Sequence, residues 1–209
     1  MHRSGRSRRV CAGRGDRSKG NAMKAEREEL RSMMDGLCLD TGSSYTLTTG
    51  KQSSFYFDCK KAMLNGRALS LISAAFLAEA ESLPVFPVAI GGLTMGADFI
   101  VAAVIQRAFE SGRPMTLGSV VRKEPKKHGT KSRIENELAA GTGIMVVDDV
   151  ITSGSSTDTA CREFIDSGYR LEGIVALVDR EAGGLEALQQ RYGCPTRAIF
   201  RKSDFPRIA

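Results

Sequence analysis

The sequence predicts an α/β fold, a parallel twisted sheet flanked by helices with a small N-terminal hood. Three observations predict it. Short apolar runs recur at residues 85–90, 115–121, 144–147, 171–178 and 196–200, as expected for strands buried on both faces of a parallel sheet. Between them, residues 97–110, 157–167 and 185–192 read as helices, and strands alternating with helices at this spacing give a parallel sheet. Two aspartates and a small-residue loop follow one of the runs directly. In open α/β sheets ligands bind at the carboxyl ends of strands.

The chain has 209 residues, enough for one domain with a small appendage and a sizeable core. No apolar run approaches the ~18 residues a membrane span needs. Cys11, Cys38, Cys59, Cys161 and Cys194 are odd in number, and no pair has Cys-x-x-Cys spacing. They read as reduced intracellular thiols and point to the cytoplasm, not to a disulfide frame or a zinc site. The net charge of +6 resides in residues 1–22, where six arginines and one lysine face Asp16 alone. The remaining chain is neutral, which argues against nucleic acid as a partner.

In chain order, residues 1–22 are rich in Arg, Ser and Gly and cannot bury enough surface to fold. Three readings compete: a disordered basic extension, a targeting peptide, or a stretch upstream of the true start at Met23. From Met23 to Leu39, the spacing of Leu30, Met33, Met34 and Leu37 predicts a helix. Residues 45–47 and 55–58 alternate as two short strands. Together residues 23–66 form the expected N-terminal helix and hood, and residues 67–209 the α/β core. The core opens with a helix at 67–82. The strand at 85–90 ends in Gly91-Gly92-Leu93-Thr94, whose glycines permit close backbone approach. Residues 122–140 are polar and charged, and Gly168 suits a helix C-cap.

The organising stretch is Ile144 to Ser156. A buried strand is followed by Asp148 and Asp149, then by Val150, Ile151 and the loop Thr152-Ser153-Gly154-Ser155-Ser156. A helix starts near Thr157, so its free N–H groups and positive dipole end face that loop, which suits a phosphate. A Walker loop would carry a lysine here, and none is present. Acids beside a phosphate are unfavourable unless they meet hydroxyls or a metal. A sugar phosphate with Mg²⁺ satisfies all of these groups. The bland reading is an ordinary strand–turn–helix with a solvated acidic turn.

Asp148-Asp149-Val150-Ile151-Thr152-Ser153-Gly154-Ser155-Ser156 resembles the signature of type I phosphoribosyltransferases, which bind 5-phosphoribosyl 1-pyrophosphate (PRPP). The resemblance implies that fold, with the acids on the ribose hydroxyls and the loop around the 5-phosphate. Arg122-Lys123-Glu124-Pro125-Lys126-Lys127-His128-Gly129, alone readable as a solvated surface loop, resembles the mobile loop of the orotate phosphoribosyltransferases. By that resemblance Arg122, Lys123, Lys126 and His128 bind pyrophosphate across a homodimer interface, with Lys126, His128, Asp148 and Asp149 catalytic. Displaced pyrophosphate concentrates negative charge that such cations and Mg²⁺ neutralise.

The Asp179-Arg180 pair resembles the family's orotate site. It implies that Arg180 and Thr152 contact orotate, while residues 55–57 resemble its aromatic hood, with Phe57 on the orotate ring. Residues 91–94 resemble the pyrophosphate loop. Mg²⁺ is expected mainly through PRPP, with Asp149 as a further ligand. Thr48 and Met95 stand where one branch of the family has lysines, and Lys51 and Lys60 are candidate substitutes. The implied activity is transfer of the phosphoribosyl group from PRPP to orotate, giving orotidine 5′-monophosphate in pyrimidine (UMP) biosynthesis. Purine phosphoribosyl transfer and a non-catalytic PRPP sensor are the rival readings.

Overall fold

The computed structural model describes residues 15–41, 45–46, 52–53, 55–124 and 132–208. Lys126, His128, Thr48 and Lys51 lie outside the described residues.

The first helix, α1 (Gly15–Leu37), starts upstream of the expected Met23, so residues 15–22 are helical. From position 20 to 29 the helix is exposed on every side. Lys, Arg, Glu and Ala are good helix formers even where nothing packs on them. Burial begins with Leu30, Met34 and then Cys38, a four-residue repeat on one face. Leu37, expected in that stripe, is more than a third exposed.

The hood is built differently from the expected pair of strands. Leu39–Asp40 (β1) pairs antiparallel with Tyr56–Phe57 (β4), and Tyr45–Thr46 (β2) pairs with Gln52–Ser53 (β3). Two-residue strands are too short to show an alternation, so their pairing is set by tertiary contacts. A short helix α2 (Lys60–Met63) leads to α3 (Gly66–Glu81), whose Asn65 N-cap accepts a hydrogen bond from Ala68 N at 3.1 Å.

The core follows as β5 (Ala89–Leu93), α4 (Asp98–Glu110), β6 (Leu117–Val121), β7 (Ile134–Glu135), β8 (Gly143–Ile151), α5 (Ser155–Asp166), β9 (Arg170–Asp179), α6 (Gly184–Tyr192) and β10 (Thr196–Arg201). The sheet order is β10-β9-β8-β5-β6-β7, parallel except for β7 on β6. β7 sits inside the polar stretch 122–140, where composition gives no strand signal.

Alternate residues of the central strands serve opposite faces, as the period of two demands. Met145, Val147, Val175 and Leu177 join the core formed with α1, α3 and α4. Ile144, Val146, Ile174 and Ala176 join the one formed with α5 and α6.

Two strand boundaries correct the sequence reading. The first of the core strands is 89–93, not 85–90, so Gly91 and Gly92 lie within β5 and not in a turn after it. A methyl group on Gly91 would collide with the Ser119 carbonyl, and one on Gly92 with the Val147 carbonyl. These glycines serve strand packing. β8 likewise continues through both aspartates to Ile151, because its ladder with β9 persists to the Ile151–Asp179 pair.

Candidate active site

β5 connects through α4 to β6 on one side of the sheet, and β8 connects through α5 to β9 on the other. The topological switch point therefore lies between β5 and β8. Their pairing stops at Gly91–Val146, while β8 runs on beside β9. The carboxyl-terminal stretch of β8, with Asp148 and Asp149, thus borders the crevice where ligands of such sheets bind.

Asp148 is 5% exposed. Its Oδ2 accepts a 2.6 Å hydrogen bond from Thr157 Oγ1, and its Oδ1 accepts one from Asp149 N at 3.0 Å. Burial, and then the neighbouring charge of Asp149, push its carboxyl up to about 7. Asp149 is half-buried, and its Oδ1 accepts from Val150 N at 2.9 Å. Gly96 lies against both acids: a methyl group there would stand 2.7 Å from Asp149 Oδ1 and 3.0 Å from Asp148 Oδ1.

The loop after β8 turns into α5 at Gly154, whose φ of 79° is the left-handed region that favours glycine. The helix begins at Ser155, two residues earlier than expected, so Ser155 and Ser156 are its first turn. Their backbone N–H groups lie among those left without intrahelical partners. Ser153 and Ser155 hydroxyls are 3.3 Å apart. The sequence reading missed what supports this loop. Gly184, the first residue of α6, lies so close to it that a methyl group would meet Thr152 O, Gly154 N and Ser153 C. The Gly183-Gly184 pair was the available signal.

Arg180 leaves β9 beside this loop, its backbone N–H bonded to Ile151 O at 2.9 Å. Its guanidinium lies over the Phe55 ring, 4.4 Å from the centroid. Burial pulls it down from the usual guanidinium range, and Tyr56 opposes that shift. Its sequence neighbours Asp179 and Glu181 each accept hydrogen bonds from backbone or hydroxyl groups. Asp179 Oδ1 accepts from Glu181 N, and the Glu181 carboxylate accepts from Ser203 N and Oγ. Of the hood aromatics, Phe55 is the ring against Arg180. Phe57, the residue expected on the orotate ring, is buried edge-on against Phe205 with centroids 4.8 Å apart.

Arg122 and Lys123 line a cavity of about 550 Å³ together with Thr94, Asp98 and Glu135. This brings the start of the basic segment to the loop after β5. Arg122 forms a 2.9 Å ion pair with Glu135. Arg133 donates to the carbonyls of Arg122 and Lys123 and to Glu163 of α5. Lys60, a candidate substitute for the missing lysines, is the first residue of α2, next to Cys59, whose thiol lies 3.9 Å from the Asp149 carbonyl.

Among the described residues no cluster of three or more His, Cys, Asp or Glu side chains could hold a metal ion unaided. Asp148 has both oxygens engaged within the protein, which leaves Asp149 as the carboxylate able to share an ion with a substrate. Mg²⁺ commonly binds through one or two carboxylates plus substrate phosphates, so this donor set fits it in that limited sense.

Comparisons with known proteins find relatives along most of the chain. No family model matches the chain. It is 36% identical over 181 residues to the orotate phosphoribosyltransferase of Rhodopirellula baltica, an alignment covering 84% of this chain and 92% of that one. It is likewise 36% identical over 185 residues to that of Corynebacterium glutamicum, covering 88% and 96%. The crystal structure of the Mycobacterium tuberculosis orotate phosphoribosyltransferase with Fe(III) dicitrate superposes with a TM-score of 0.75 at 31% identity, covering 87% of this chain and 99% of that one. The same enzyme in complex with PRPP gives 0.69 at 28% identity, covering 86% and 98%. An acid pair near the carboxyl end of a central strand, a glycine-turned loop at a helix N-terminus and an arginine over a hood aromatic thus accompany similarity along most of the chain, which belongs to the orotate phosphoribosyltransferase family.

Proposed function

We propose that this chain transfers the 5-phosphoribosyl group of PRPP to N1 of orotate, releasing pyrophosphate and giving orotidine 5′-monophosphate for UMP synthesis. The observation that carries the reading is the placement of two binding environments within one loop's width. The Thr152–Ser156 loop and the α5 N-terminus suit a phosphate, and Arg180 over Phe55 suits a planar carboxylate.

In this scheme the loop amides and hydroxyls hold the 5-phosphate, and Asp149 accepts from the ribose hydroxyls while Asp148 braces it. As the C1–oxygen bond to pyrophosphate breaks, the C1–N1 bond forms and the N1 proton passes to solvent, positive charge develops transiently on the sugar ring beside the acid pair. That charge is stabilised where it arises, with no covalent intermediate on the protein. Arg180 takes the orotate carboxylate and thereby aims N1 at C1, with Thr152 as a second contact. Lys126 and His128 carry the leaving group, together with Arg122 and Lys123. Bound Mg²⁺ would offset the charge of the pyrophosphate. The resemblance of the 122–129 segment further supports a homodimer in which that loop serves the neighbouring subunit's site, and the scattered cysteines support a cytoplasmic location.

The test is loss of orotate absorbance in the presence of PRPP and Mg²⁺, beside a sample treated with chelator and samples offered adenine or hypoxanthine. Orotate consumption that requires both PRPP and metal is the expected result. Consumption of a purine base instead would overturn the assignment of the base.

A further inference from the structure

The carboxyl ends of β9 and β10 lie side by side, with Arg201 opposite Asp179 in the parallel register. Lys202 therefore leaves its strand where Arg180 leaves the neighbouring one. Both cations meet one ring, Arg180 Cζ 4.4 Å and Lys202 Nζ 5.6 Å from the Phe55 centroid. Both distances are within cation–π range.

The acids next to Lys202 in chain or register, Asp204, Asp179 and Glu181, each accept hydrogen bonds from other groups. The Glu181 carboxylate is taken by the backbone N–H of Ser203 at 2.9 Å and its hydroxyl at 3.0 Å. Glu181 itself has a φ of 54°, a left-handed conformation uncommon for a non-glycine residue, and the two Ser203 bonds hold it there. Asp204 Oδ2 accepts from Arg201 N at 3.0 Å and lies 3.4 Å from Arg27. Asp179 is buried and bonded to the Glu181 N–H. Among the described residues Lys202 makes no ion pair. The result is a half-buried ammonium with no ion pair among the described residues and a half-buried guanidinium against the same aromatic ring, at the carboxyl edge of the sheet.

We infer that Lys202 is a second cation of the base pocket, a specificity residue that selects a planar anionic base alongside Arg180. The inference rests on the proposed transfer to orotate and deepens it. The guanidinium's fork suits the two oxygens of a carboxylate, whereas an ammonium is a point charge that needs no fixed partner geometry. Lys202 supplies field at the ring that Arg180 aligns.

The experiment uses the full chain with Lys202→Met and Lys202→Arg, varying orotate and PRPP separately and recording the thermal midpoint of each variant. Lys202→Met should raise the KM for orotate about fivefold, the scale of one partly exposed charge contact. The KM for PRPP and the thermal midpoint should stay at the wild-type values, and Lys202→Arg should recover most of the loss. An unchanged orotate KM in Lys202→Met, in a wild-type background that consumes orotate, overturns the role of Lys202 alone. A rise confined to the PRPP KM overturns it too, by placing the ammonium on a phosphate. A wild-type protein that consumes no orotate overturns the proposed function, and this inference with it.

Discussion

Replacing Gly184 with alanine tests whether the phosphate loop is held in place by close packing from α6. A methyl group at this position would stand 2.7 Å from both Gly154 N and Ser153 C, and closer still to Thr152 O. Ordinary carbon contacts are about 3.5–4.0 Å. All three neighbours are backbone atoms, so no side-chain rotation relieves the overlap, and the loop must retreat by roughly 0.8 Å or more on that comparison.

Two effects on stability oppose each other. Overpacking costs about 1–3 kcal/mol. Alanine in a helix is favoured over glycine by about 1 kcal/mol. The net loss of about 0–2 kcal/mol lowers the melting temperature by at most about 8 °C in a chain of this size. Function should suffer far more, because a displacement near 1 Å at a positioning group costs about 10²-fold in rate. The expected result is a fall of that order in kcat/KM for PRPP with a folded protein.

Gly183→Ala is the matched control. Nothing lies within 4 Å of its new methyl group, but its φ of 84° is strained for alanine. It should lose about 1–2 kcal/mol of stability and keep most of its activity toward PRPP. Steady-state kinetics and thermal melts of both variants decide the matter. Wild-type kcat/KM for PRPP in Gly184→Ala, or equal losses in the two variants, would refute the packing argument.

Two further perturbations have outcomes set by the structure. Thr157→Val leaves a buried carboxylate oxygen of Asp148 without its 2.6 Å donor. It should cost about 1.5–3 kcal/mol, or roughly 3–12 °C in melting temperature, with Thr157→Ser restoring most of it; a Val variant as stable as wild type would contradict the bond. Asp158 ties α5 to α6 through Arg191 and Tyr192, each at 2.6 Å, with Arg162 at 2.8 Å. Burial alone would raise its pKa, but these bonds and charges outweigh it, and the folded value lies below the ordinary carboxylate value. Its stabilisation is therefore complete above about pH 4 and is lost as pH falls through the lower folded value. Chemical denaturation from pH 7 to pH 2 should show a smaller acid-side loss in Asp158→Asn than in wild type, and parallel curves would remove Asp158 from that role.

Much of the site was legible because its parts are contiguous. Strand, acid pair, hydroxyl loop and helix start follow one another from Ile144 to Thr157, so local pattern and chemistry coincide. The same holds for Asp179-Arg180 at the end of an apolar run. What escaped the sequence depends on long-range packing. Gly91 and Gly92 look like turn residues until Ser119 and Val147 are seen against them. β7 and the hood strands are two residues long and carry no period. Lys202 and Ser203 resemble any polar terminus, and only the register of β10 on β9 brings them to Arg180 and Glu181. The early start of α1 at Gly15 had no signal in residues 15–22, which include two glycines, Asp, Ser and Asn, all poor helix formers.

The five residues from Arg180 to Gly184 join the two halves of the site. Arg180 bonds to Ile151, Glu181 is anchored on Ser203, Gly183 makes the left-handed turn, and Gly184 presses on the loop from Thr152 to Gly154. Arg180, proposed to face the base, and Gly184, which packs on the proposed phosphate loop, are thus separated by three positions. An insertion or deletion there would shift both sites at once. In evolutionary terms, base preference in this chain is not a detachable module. If the proposed roles hold, new base specificities are more accessible through side-chain replacement at Phe55, Arg180 or Lys202 than through remodelling the β9–α6 connection, where each change in what is recognised would also alter how the sugar phosphate is gripped.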